Sequence, residues 1–311
     1  MSARIRVAVI GGGDNGEHEV SLGSAAAVCA HLPSSAYEVV PMTIARGGAW
    51  LVEGRPVALA AAVELLATCD VVFPALHGEG GEDGTVAALC RLAGLPCVGS
   101  PATTGALAMD KHVTKLVAAS VGVRVPRGVL LGPDSAYDWE GAVVVKPASA
   151  GSSRGVSLVR SEADLETALK EAFSYSDRVL VEEVVQGREI DVAVLGSADG
   201  ERLVAPPLEI VGPDLFDYDT KYGGSADLRV PADVTGPERD ALSATAIRMY
   251  DALGCRGLAR IDFFLTSDGP VLLEVNTMPG LTEHSQAPRM FAAAGTSYPD
   301  LLDLMVRDAL R

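Results

Sequence analysis

Apolar runs that alternate with amphipathic stretches dominate residues 1–99. The run from Ile5 to Ile10 is apolar apart from Arg6 and ends in three glycines, which is typical of a buried parallel strand that turns into a helix. The predicted elements are the strands Ile5 to Ile10, Val39 to Ile44, Val71 to Leu76 and Pro96 to Val98, and the helices Val20 to His31 and Thr85 to Leu92. This β-α-β alternation predicts an α/β fold class, with a doubly wound, Rossmann-like parallel-sheet domain over residues 1–99.

The pattern changes after residue 99, where the strands are separated by longer polar stretches. In residues 100–182 we predict two helices within Thr104 to Ser120, the strands Val129 to Leu131, Val143 to Lys146 and Val179 to Glu183, and the helix Glu162 to Ser174. In residues 183–311 we predict the strands Ile190 to Gly196, Leu203 to Ile210, Leu258 to Leu265 and Val271 to Val275, and the helix Pro237 to Leu253. The two segments are expected to form α+β units, with a polar connection over residues 213–226.

Composition and charge narrow the class of protein. Hydrophobic residues make up 48% and charged residues 21% of the 311 positions, as in ordinary globular chains. The net charge of −16 disfavours non-specific nucleic-acid binding, since it repels phosphate backbones. No stretch approaches the roughly 20 apolar residues of a membrane span, so a cytoplasmic protein is expected. The five cysteines are widely spaced, which predicts reduced thiols rather than a disulfide framework.

The glycine-rich turn of residues 11–16 formally satisfies the dinucleotide-binding pattern G-x-G-x-x-G. A dehydrogenase would also need a carboxylate after the second strand to hold the ribose, yet Ile44 is followed by Ala45 and Arg46. Nicotinamide binding is therefore disfavoured. Glu17 and Glu19 come next, at a helix N-terminus, where carboxylates either stabilise the helix or orient an ammonium group.

Two further loops follow predicted strands. His77 opens a glycine-rich loop over residues 77–84, which is either a helix cap or a ligand site at the carboxyl edge of the sheet. Lys146 ends a strand and is followed by small residues over 148–155, here called the serine loop. Such a loop is either a flexible hairpin or a cover for a triphosphate, with the lysine on one phosphate and backbone N–H groups on the others.

The most informative pattern lies on two successive C-terminal strands. Because side chains alternate faces with a period of two, Arg260 and Asp262 project together, and so do Glu274 and Asn276. Two carboxylates and an amide on apolar strands suit Mg²⁺ shared with substrate phosphates. An ordinary salt-bridged surface is the alternative interpretation.

At these motifs the sequence resembles the ATP-grasp enzymes, specifically the D-alanine–D-alanine ligase family. The resemblance covers nearly the whole chain in order. Its motifs are Glu17-His18-Glu19-Val20-Ser21, Leu76-His77-Gly78, Gly81-Glu82-Asp83-Gly84-Thr85, Met109-Asp110-Lys111, Lys146-Pro147, Gly151-Ser152-Ser153, Lys221-Tyr222, Ala259-Arg260-Ile261-Asp262, and Glu274 to Thr282 with Ser285. It implies an N-terminal substrate domain (1–99) and a two-lobed ATP-grasp fold (100–182 and 183–311), with a lid over residues 213–226.

The resemblance also implies the reaction and the residues that perform it. ATP would convert one D-alanine to a D-alanyl phosphate, and a second D-alanine would attack it, for peptidoglycan precursor synthesis, cell wall biogenesis and cell shape. ATP would contact Lys111, Lys146, Ser152, Glu182, Glu189 and Lys221. The first substrate would contact Glu17 and His77, in a hydrogen-bonded group with Ser152 and Tyr222. Arg260 and the Gly280 backbone N–H would stabilise the oxyanion, Ser285 would bind the second substrate, and Asp262, Glu274 and Asn276 would bind two Mg²⁺ ions, for which Mn²⁺ can substitute.

The resemblance further implies a homodimer that binds small molecules, neither nucleic acid nor a membrane. Ala150 and Glu183 depart from residues frequent in the family, a glutamate in the serine loop and a lysine near the adenine. A ligase for another D-amino acid or small carboxylate in natural-product biosynthesis is one alternative. A non-catalytic ATP-binding protein is the other, and it predicts the loss of a signature residue such as Arg260 or Asp262, both of which are present.

Overall fold

The computed structural model describes residues 4–197, 199–212 and 227–311, within which the strands form three sheets. The predicted α/β fold class is confirmed: a mainly parallel N-terminal sheet is followed by two antiparallel sheets, with helices packed on them. None of the helices in these residues is long and apolar enough to cross a membrane. The thiols of all five cysteines are free.

The N-terminal sheet has helices on both faces. Its elements are β1 (Ile5–Gly12), α1 (His18–His31), β2 (Tyr37–Ile44), β3 (Trp50–Val52), β4 (Arg55–Val57), α2 (Leu59–Leu66), β5 (Val71–Pro74) and α3 (Thr85–Leu92), with the strand order β4-β3-β2-β1-β5. Val7 and Val9 of β1 pack in one core with α1, whereas Ala8 and Ile10 pack in another with α2 and α3. The period of two in a strand therefore produces the doubly wound arrangement. The hairpin β3–β4, which was not predicted, adds an antiparallel edge to the parallel strands, and helix α2, also not predicted, packs on one face of the sheet.

The middle segment contains α4 (Ala102–Met109), α5 (Lys111–Ser120), β6 (Gly128–Leu131), β7 (Val143–Pro147), β8 (Ser157–Val159), α6 (Glu162–Phe173) and β9 (Val179–Glu183). Its antiparallel sheet has the order β6-β9-β7-β8. Val143 and Val145 of β7 enter the core beneath α6, so Val144 and Lys146 face the opposite side. That opposite side faces the cleft described below.

The third sheet consists of β10 (Arg188–Gly196), β11 (Arg202–Val204), β12 (Leu208–Val211), β13 (Asp227–Arg229), β14 (Gly257–Thr266) and β15 (Gly269–Asn276), and the same segment of the chain also contains helices. Those helices are α7 (Gly236–Leu253), α8 (Gln286–Ala293) and α9 (Tyr298–Ala309). The strand order is β13-β12-β10-β14-β15, and β11 pairs with β10. The predicted single strand over residues 203–210 is wrong, because it is divided into β11 and β12 at Pro206 and Pro207, which have no N–H for a sheet.

We propose domain boundaries near residues 99 and 182. In support, the strands of each sheet come from one of the segments 1–99, 100–182 and 183–311, except for the last residue of β9. The cores nevertheless cross these boundaries. Leu302 and Met305 of α9 share a core with Phe73 of the N-terminal sheet, and Ala118 of α5 packs with Met249 of α7. The segments are therefore held against one another around the cleft.

Candidate active site

Two adjoining cavities lie where the three sheets meet, and every predicted site residue in the described part of the chain lines one of them. The first, of about 310 Å³, lies between the N-terminal domain and the third sheet. The second lies between the middle and third sheets. The walls that both cavities share contain Ser153, Glu189, Asp262 and Glu274. The acidic strand pair is therefore the junction between the two cavities.

Strand register brings the predicted metal ligands together. Asp262 of β14 lies opposite Glu274 of β15, and Arg260 lies opposite Asn276. The Asn276 side-chain amide donates to Asp262 Oδ2 at 3.0 Å. Like charges directly opposite on neighbouring strands repel, so this pair requires cations nearby. In residues 4–197, 199–212 and 227–311 no three His, Cys, Asp or Glu side chains form a metal-binding group. The predicted ligands are instead two carboxylates and an amide.

Arg260 is the cation beside Asp262. Its Nε and Nη2 each donate to one Asp262 oxygen at 2.7 Å, which is the bidentate geometry that a guanidinium favours. The remaining nitrogen, Nη1, donates to Gln286 Oε1 at 2.6 Å, and the buried carboxylate of Asp191 lies 3.5 Å from Nε. These contacts fix a positive charge on the wall of the first cavity.

Lys111 is the cation beside Glu274. It is the first residue of α5, and its Nζ lies 3.1 Å from Glu274 Oε2 and donates to the Ala150 carbonyl at 2.7 Å. Asp110 accepts from the Val113 N–H and so caps this helix. The start of α5 therefore places Lys111 at the junction of the two cavities.

The carboxylate of Glu17 lies in space between Gly78 and Gly151. The Ser152 hydroxyl donates to Glu17 Oε1. A Cβ at Gly78 would come within 2.8 Å of Glu17 Oε2, and one at Gly151 within 3.1 Å of Glu17 Oε1. Gly78 also has a φ of +71°, which favours glycine, and both glycines let the backbone approach the carboxylate closely.

Burial raises the pKa of Glu17, and the Glu274 carboxylate raises it further, whereas Lys111, Arg154 and Arg260 lower it. Burial, with a smaller contribution from Glu17, raises the pKa of Glu82 to about 8. At neutral pH Glu82 is therefore protonated, which removes one negative charge from this wall.

His77 lines the first cavity but has both ring nitrogens engaged. Nδ1 donates to the Met278 carbonyl at 2.8 Å, and Nε2 accepts from the Ser24 hydroxyl at 2.8 Å. Burial lowers the pKa of His77 to about 4, so the ring is neutral at neutral pH, in agreement with this pairing. His77 therefore ties the loop before Gly280 to helix α1.

Gly280 and Ser285 lie at the far end of the same cavity. A Cβ at Gly280 would lie 3.0 Å from Ser285 Oγ. Ser285 precedes α8, and its Oγ contacts the Thr282 N–H and hydroxyl at 3.1 and 2.8 Å. The dipole of α8 and the free N–H groups at its start favour a carboxylate at this position.

The second cavity contains the predicted nucleotide residues. Lys146 Nζ lies 2.8 Å from Glu182 Oε2, and both side chains are buried. Glu182 and Glu189 are each only 3% exposed, and carboxylates buried to this extent are usually paired. Burial alone would raise the pKa of Glu182, but the ammonium groups of Lys146 and Lys115 outweigh it and hold the pKa below its usual value.

Lys115 is a site residue that the sequence analysis missed. It lies one helical turn after Lys111 in α5, and its buried Nζ contacts Glu182 Oε1. Burial and the neighbouring Lys146 lower its pKa, and Glu182 opposes that effect. The i, i+4 spacing on α5 was the available signal, since it puts both lysines on one helix face.

Arg154 and Gln286 were also missed. Arg154, in the serine loop, donates to the Gly16 carbonyl at 3.0 Å, and Gln286 accepts from Arg260. Both contacts join residues more than 25 positions apart, so no local pattern indicates them. Lys221, Tyr222 and the predicted lid (213–226) lie outside the described residues.

Two family models match the chain. The model described as "D-ala D-ala ligase C-terminus" matches residues 139–307, and "D-ala D-ala ligase N-terminus" matches residues 6–61 and 56–100. Among curated relatives, the D-alanine–D-alanine ligase of Mycolicibacterium gilvum is 40% identical over a 360-residue alignment that covers 100% of this chain and 98% of the relative. That of Nocardia farcinica is 38% identical, with coverage of 100% and 98%.

Solved structures are similar as well. VanG D-Ala:D-Ser ligase from Enterococcus faecalis has a TM-score of 0.87 at 32% identity, covering 99% of this chain and 100% of that chain. The Bacillus anthracis D-alanine–D-alanine ligase complexed with ATP has a TM-score of 0.83 at 28% identity, covering 99% and 98%. Matching sequence models, full-length relatives and a shared fold agree with the geometry of the cleft, and they show that the chain belongs to the D-alanine–D-alanine ligase family.

Proposed function

We propose that this protein is an ATP-dependent carboxylate–amine ligase that joins two D-alanines into D-alanyl-D-alanine for peptidoglycan precursor synthesis. One observation carries the proposal: Glu17, Arg260 and the Asp262–Glu274 pair line one cavity, and the pair also borders a second cavity lined by Lys111 and Lys146. An amino-acid site and a triphosphate site therefore meet at a set of hard-oxygen ligands. The names of the family relatives agree with this reaction.

The enzyme consumes one ATP for each peptide bond that it forms. A carboxylate oxygen of the first D-alanine attacks the γ-phosphorus, ADP leaves, and a D-alanyl phosphate forms. The amine of the second D-alanine attacks the acyl carbon, the C–O bond to phosphate breaks, and a proton leaves the nitrogen. The products are D-alanyl-D-alanine, ADP and phosphate. The protein supplies orientation and electrostatic stabilisation, which are the main sources of rate in phosphoryl transfer.

The residues of the first cavity fit the amino-acid steps. Glu17, supported by Ser152, binds the ammonium of the first D-alanine, and His77 positions the loop that precedes Gly280. Arg260 and the Gly280 N–H stabilise the oxyanion that forms when the amine attacks. Ser285 binds the carboxylate of the second D-alanine at the start of α8.

The second cavity fits ATP. Lys111 and Lys146 pair with phosphates, the serine loop with Ser152 covers them, and Glu182 and Glu189 contact the adenosine. Support comes from the buried ammonium and carboxylate groups, which a polar ligand of mixed charge complements. Ala150 and Glu183 also line this cavity, where they would change nucleotide affinity or lid closure without changing the reaction.

Mg²⁺ fits the acidic junction. Asp262, Glu274 and Asn276 provide side-chain oxygens of the type that this ion prefers, and two ions, or Mn²⁺ in their place, would be held there. Bound Mg²⁺ neutralises charge on the phosphoryl group during transfer. Lys111 pairs with Glu274 and Arg260 with Asp262, and these two ion pairs offset the repulsion between the carboxylates.

The remaining assignments rest on the family. Lys221 contacts the transferred phosphoryl group, Tyr222 completes the group of Glu17 and Ser152, and residues 213–226 close over the cleft. Closure excludes water, which would otherwise hydrolyse the acyl phosphate. The protein acts in the cytoplasm as a homodimer and in this role contributes to cell wall biogenesis and cell shape.

The experiment is an assay of phosphate release from Mg·ATP with D-alanine, L-alanine, D-serine and D-lactate, singly and in pairs, with products identified by mass. We expect phosphate and D-alanyl-D-alanine in equal amounts from D-alanine alone. Turnover only with another pair would instead support a second candidate, a ligase for a different second substrate, which the similarity to the D-Ala:D-Ser ligase favours. No turnover with any pair would indicate a non-catalytic ATP-binding protein.

Replacing Lys115 with methionine should raise the KM for ATP about tenfold while kcat changes less than about threefold. Glu182 is shared by Lys115 and Lys146 in the free protein, and Lys115 alone holds it once Lys146 turns to a phosphate. The loss of one charge-assisted contact is worth about 1.5 kcal/mol. Steady-state kinetics measure both constants. Lys170→Met, at an exposed position of α6, is the matched control, and an ATP KM equal to that of the control would contradict the role.

A further inference from the structure

The serine loop has a backbone conformation that needs support. Ser152 and Ser153 both have a φ of +53°, in the left-handed region that side chains with a Cβ rarely adopt. Each such residue costs about 1 kcal/mol, so contacts elsewhere must hold the loop in place. The loop's own hydrogen bond from the Arg154 N–H to the Gly151 carbonyl, at 3.2 Å, closes the turn but does not attach it to the rest of the protein.

Two side chains attach the loop to the N-terminal domain. Ser152 donates to the Glu17 carboxylate, and Arg154 Nη2 donates to the Gly16 carbonyl at 3.0 Å. Gly16 and Glu17 are adjacent in the chain, and Ser152 and Arg154 are separated by one residue, so the two contacts lie close together. The serine loop, which lines the second cavity, is therefore attached to Glu17, which lines the first.

The contact at Gly16 is close. A Cβ built on Gly16 would lie 2.0 Å from Arg154 Nη1 and 2.3 Å from its Cζ. The guanidinium thus lies directly on the Gly16 backbone, in space that any other residue would occupy. A side chain at position 16 would have to displace it.

The charge of Arg154 also acts on Glu17. Glu17 is buried near Glu274, and Lys111, Arg154 and Arg260 are the cations that counter its burial. Lys111 contacts Glu274, and Arg260 is bound to Asp262, whereas Arg154 lies on the residue next to Glu17. Of these three cations, Arg154 is therefore the one that directly contacts the backbone next to Glu17.

We propose that Arg154 is a positioning residue for the first amino-acid site: it holds the serine loop on Gly16 and so fixes Ser152 against Glu17. This inference rests on the proposed ligase function. It assigns a specific role in first-substrate binding to a side chain that is not in the lining of either cavity. Loss of the contact frees the strained loop, and the Glu17–Ser152 pair loses its fixed geometry.

The test compares Arg154→Ala, Arg154→Lys and Gly16→Ala in the full-length enzyme. The KM for each D-alanine, the KM for ATP and kcat are measured separately. We expect Arg154→Ala to raise the KM of the first D-alanine about tenfold, with kcat and the ATP KM changed by less than about threefold. Lysine keeps the charge but not the planar fork, so Arg154→Lys should recover part of the loss. Arg160→Ala, on the same lobe and exposed, is the matched control.

Gly16→Ala provides the second, independent variant. It keeps Arg154 but displaces its guanidinium, so it should reproduce the KM effect of Arg154→Ala. In the double variant the two effects should not add, because one contact is lost in both cases. A first-substrate KM in Arg154→Ala equal to that of Arg160→Ala, or fully additive effects with Gly16→Ala, would overturn the proposal. A wild-type enzyme inactive towards D-alanine would instead overturn the proposed function.

Discussion

Arg260→Ala should lower kcat by about two to three orders of magnitude, with a much smaller change in the KM for D-alanine. A well-placed donor to an oxyanion contributes about 3 to 4 kcal/mol to transition-state stabilisation, and this partner exists mainly in the transition state. Arg260 is fixed for that role by both oxygens of Asp262 and by Gln286. Steady-state kinetics with D-alanine measure the two constants.

Two controls separate catalysis from folding. Arg260 also lies beside the buried Asp191, so its removal leaves a buried carboxylate without this cation and lowers the free energy of unfolding. Thermal unfolding of each variant measures that effect. Arg260→Lys retains the charge but loses the bidentate fork, and it should recover stability more than kcat. A raised KM with an unchanged kcat would mean that Arg260 binds the ground state instead.

Glu274→Gln should lower Mg²⁺-dependent turnover about a hundredfold and shift the Mg²⁺ requirement to higher concentration. The substitution keeps the size of the side chain but removes one carboxylate of the Asp262–Glu274 pair at the junction of the cavities. It also removes the anionic partner of Lys111 Nζ, at 3.1 Å. The measurement is kcat against Mg²⁺ concentration, because a weakened metal site is partly restored by excess ion.

Glu209→Gln is the matched control for Glu274→Gln. Glu209 lies in β12 of the same sheet and is paired with Arg188 at 2.7 Å, so its loss tests the cost of breaking an ion pair in that sheet. We expect it to leave the Mg²⁺ dependence unchanged. Near-normal turnover of Glu274→Gln at low Mg²⁺ would contradict the metal assignment.

Features with local periodicity were predictable from the sequence. The alternation in β14 and β15 correctly brings Arg260, Asp262, Glu274 and Asn276 to one place, because side-chain direction in a strand follows from position alone. The strand-to-helix turns of the N-terminal domain were also predictable, because glycines follow the apolar runs of β1 and β5.

Features that depend on tertiary contacts were not predictable. The sequence places Glu17 and Ser152 in separate motifs 135 residues apart, and their hydrogen bond depends on the packing of two lobes. The sequence indicates His77 as a site residue, but it does not indicate that the imidazole ring pairs with Met278 and Ser24. The β3–β4 hairpin was missed because two strands of three residues are too short to show a period. Helices α8 and α9 were missed although each has an amphipathic pattern that the sequence does show.

The most direct test of acyl-phosphate ligation uses D-alanine labelled with ¹⁸O in both carboxylate oxygens, incubated with Mg·ATP and the enzyme. The phosphate released and the dipeptide formed are analysed by mass. If D-alanyl phosphate is formed and then attacked by the second amine, each phosphate carries one labelled oxygen and each dipeptide lacks one. Dipeptide formation with unlabelled phosphate, or ATP hydrolysis without dipeptide, would contradict the reaction proposed for this cleft.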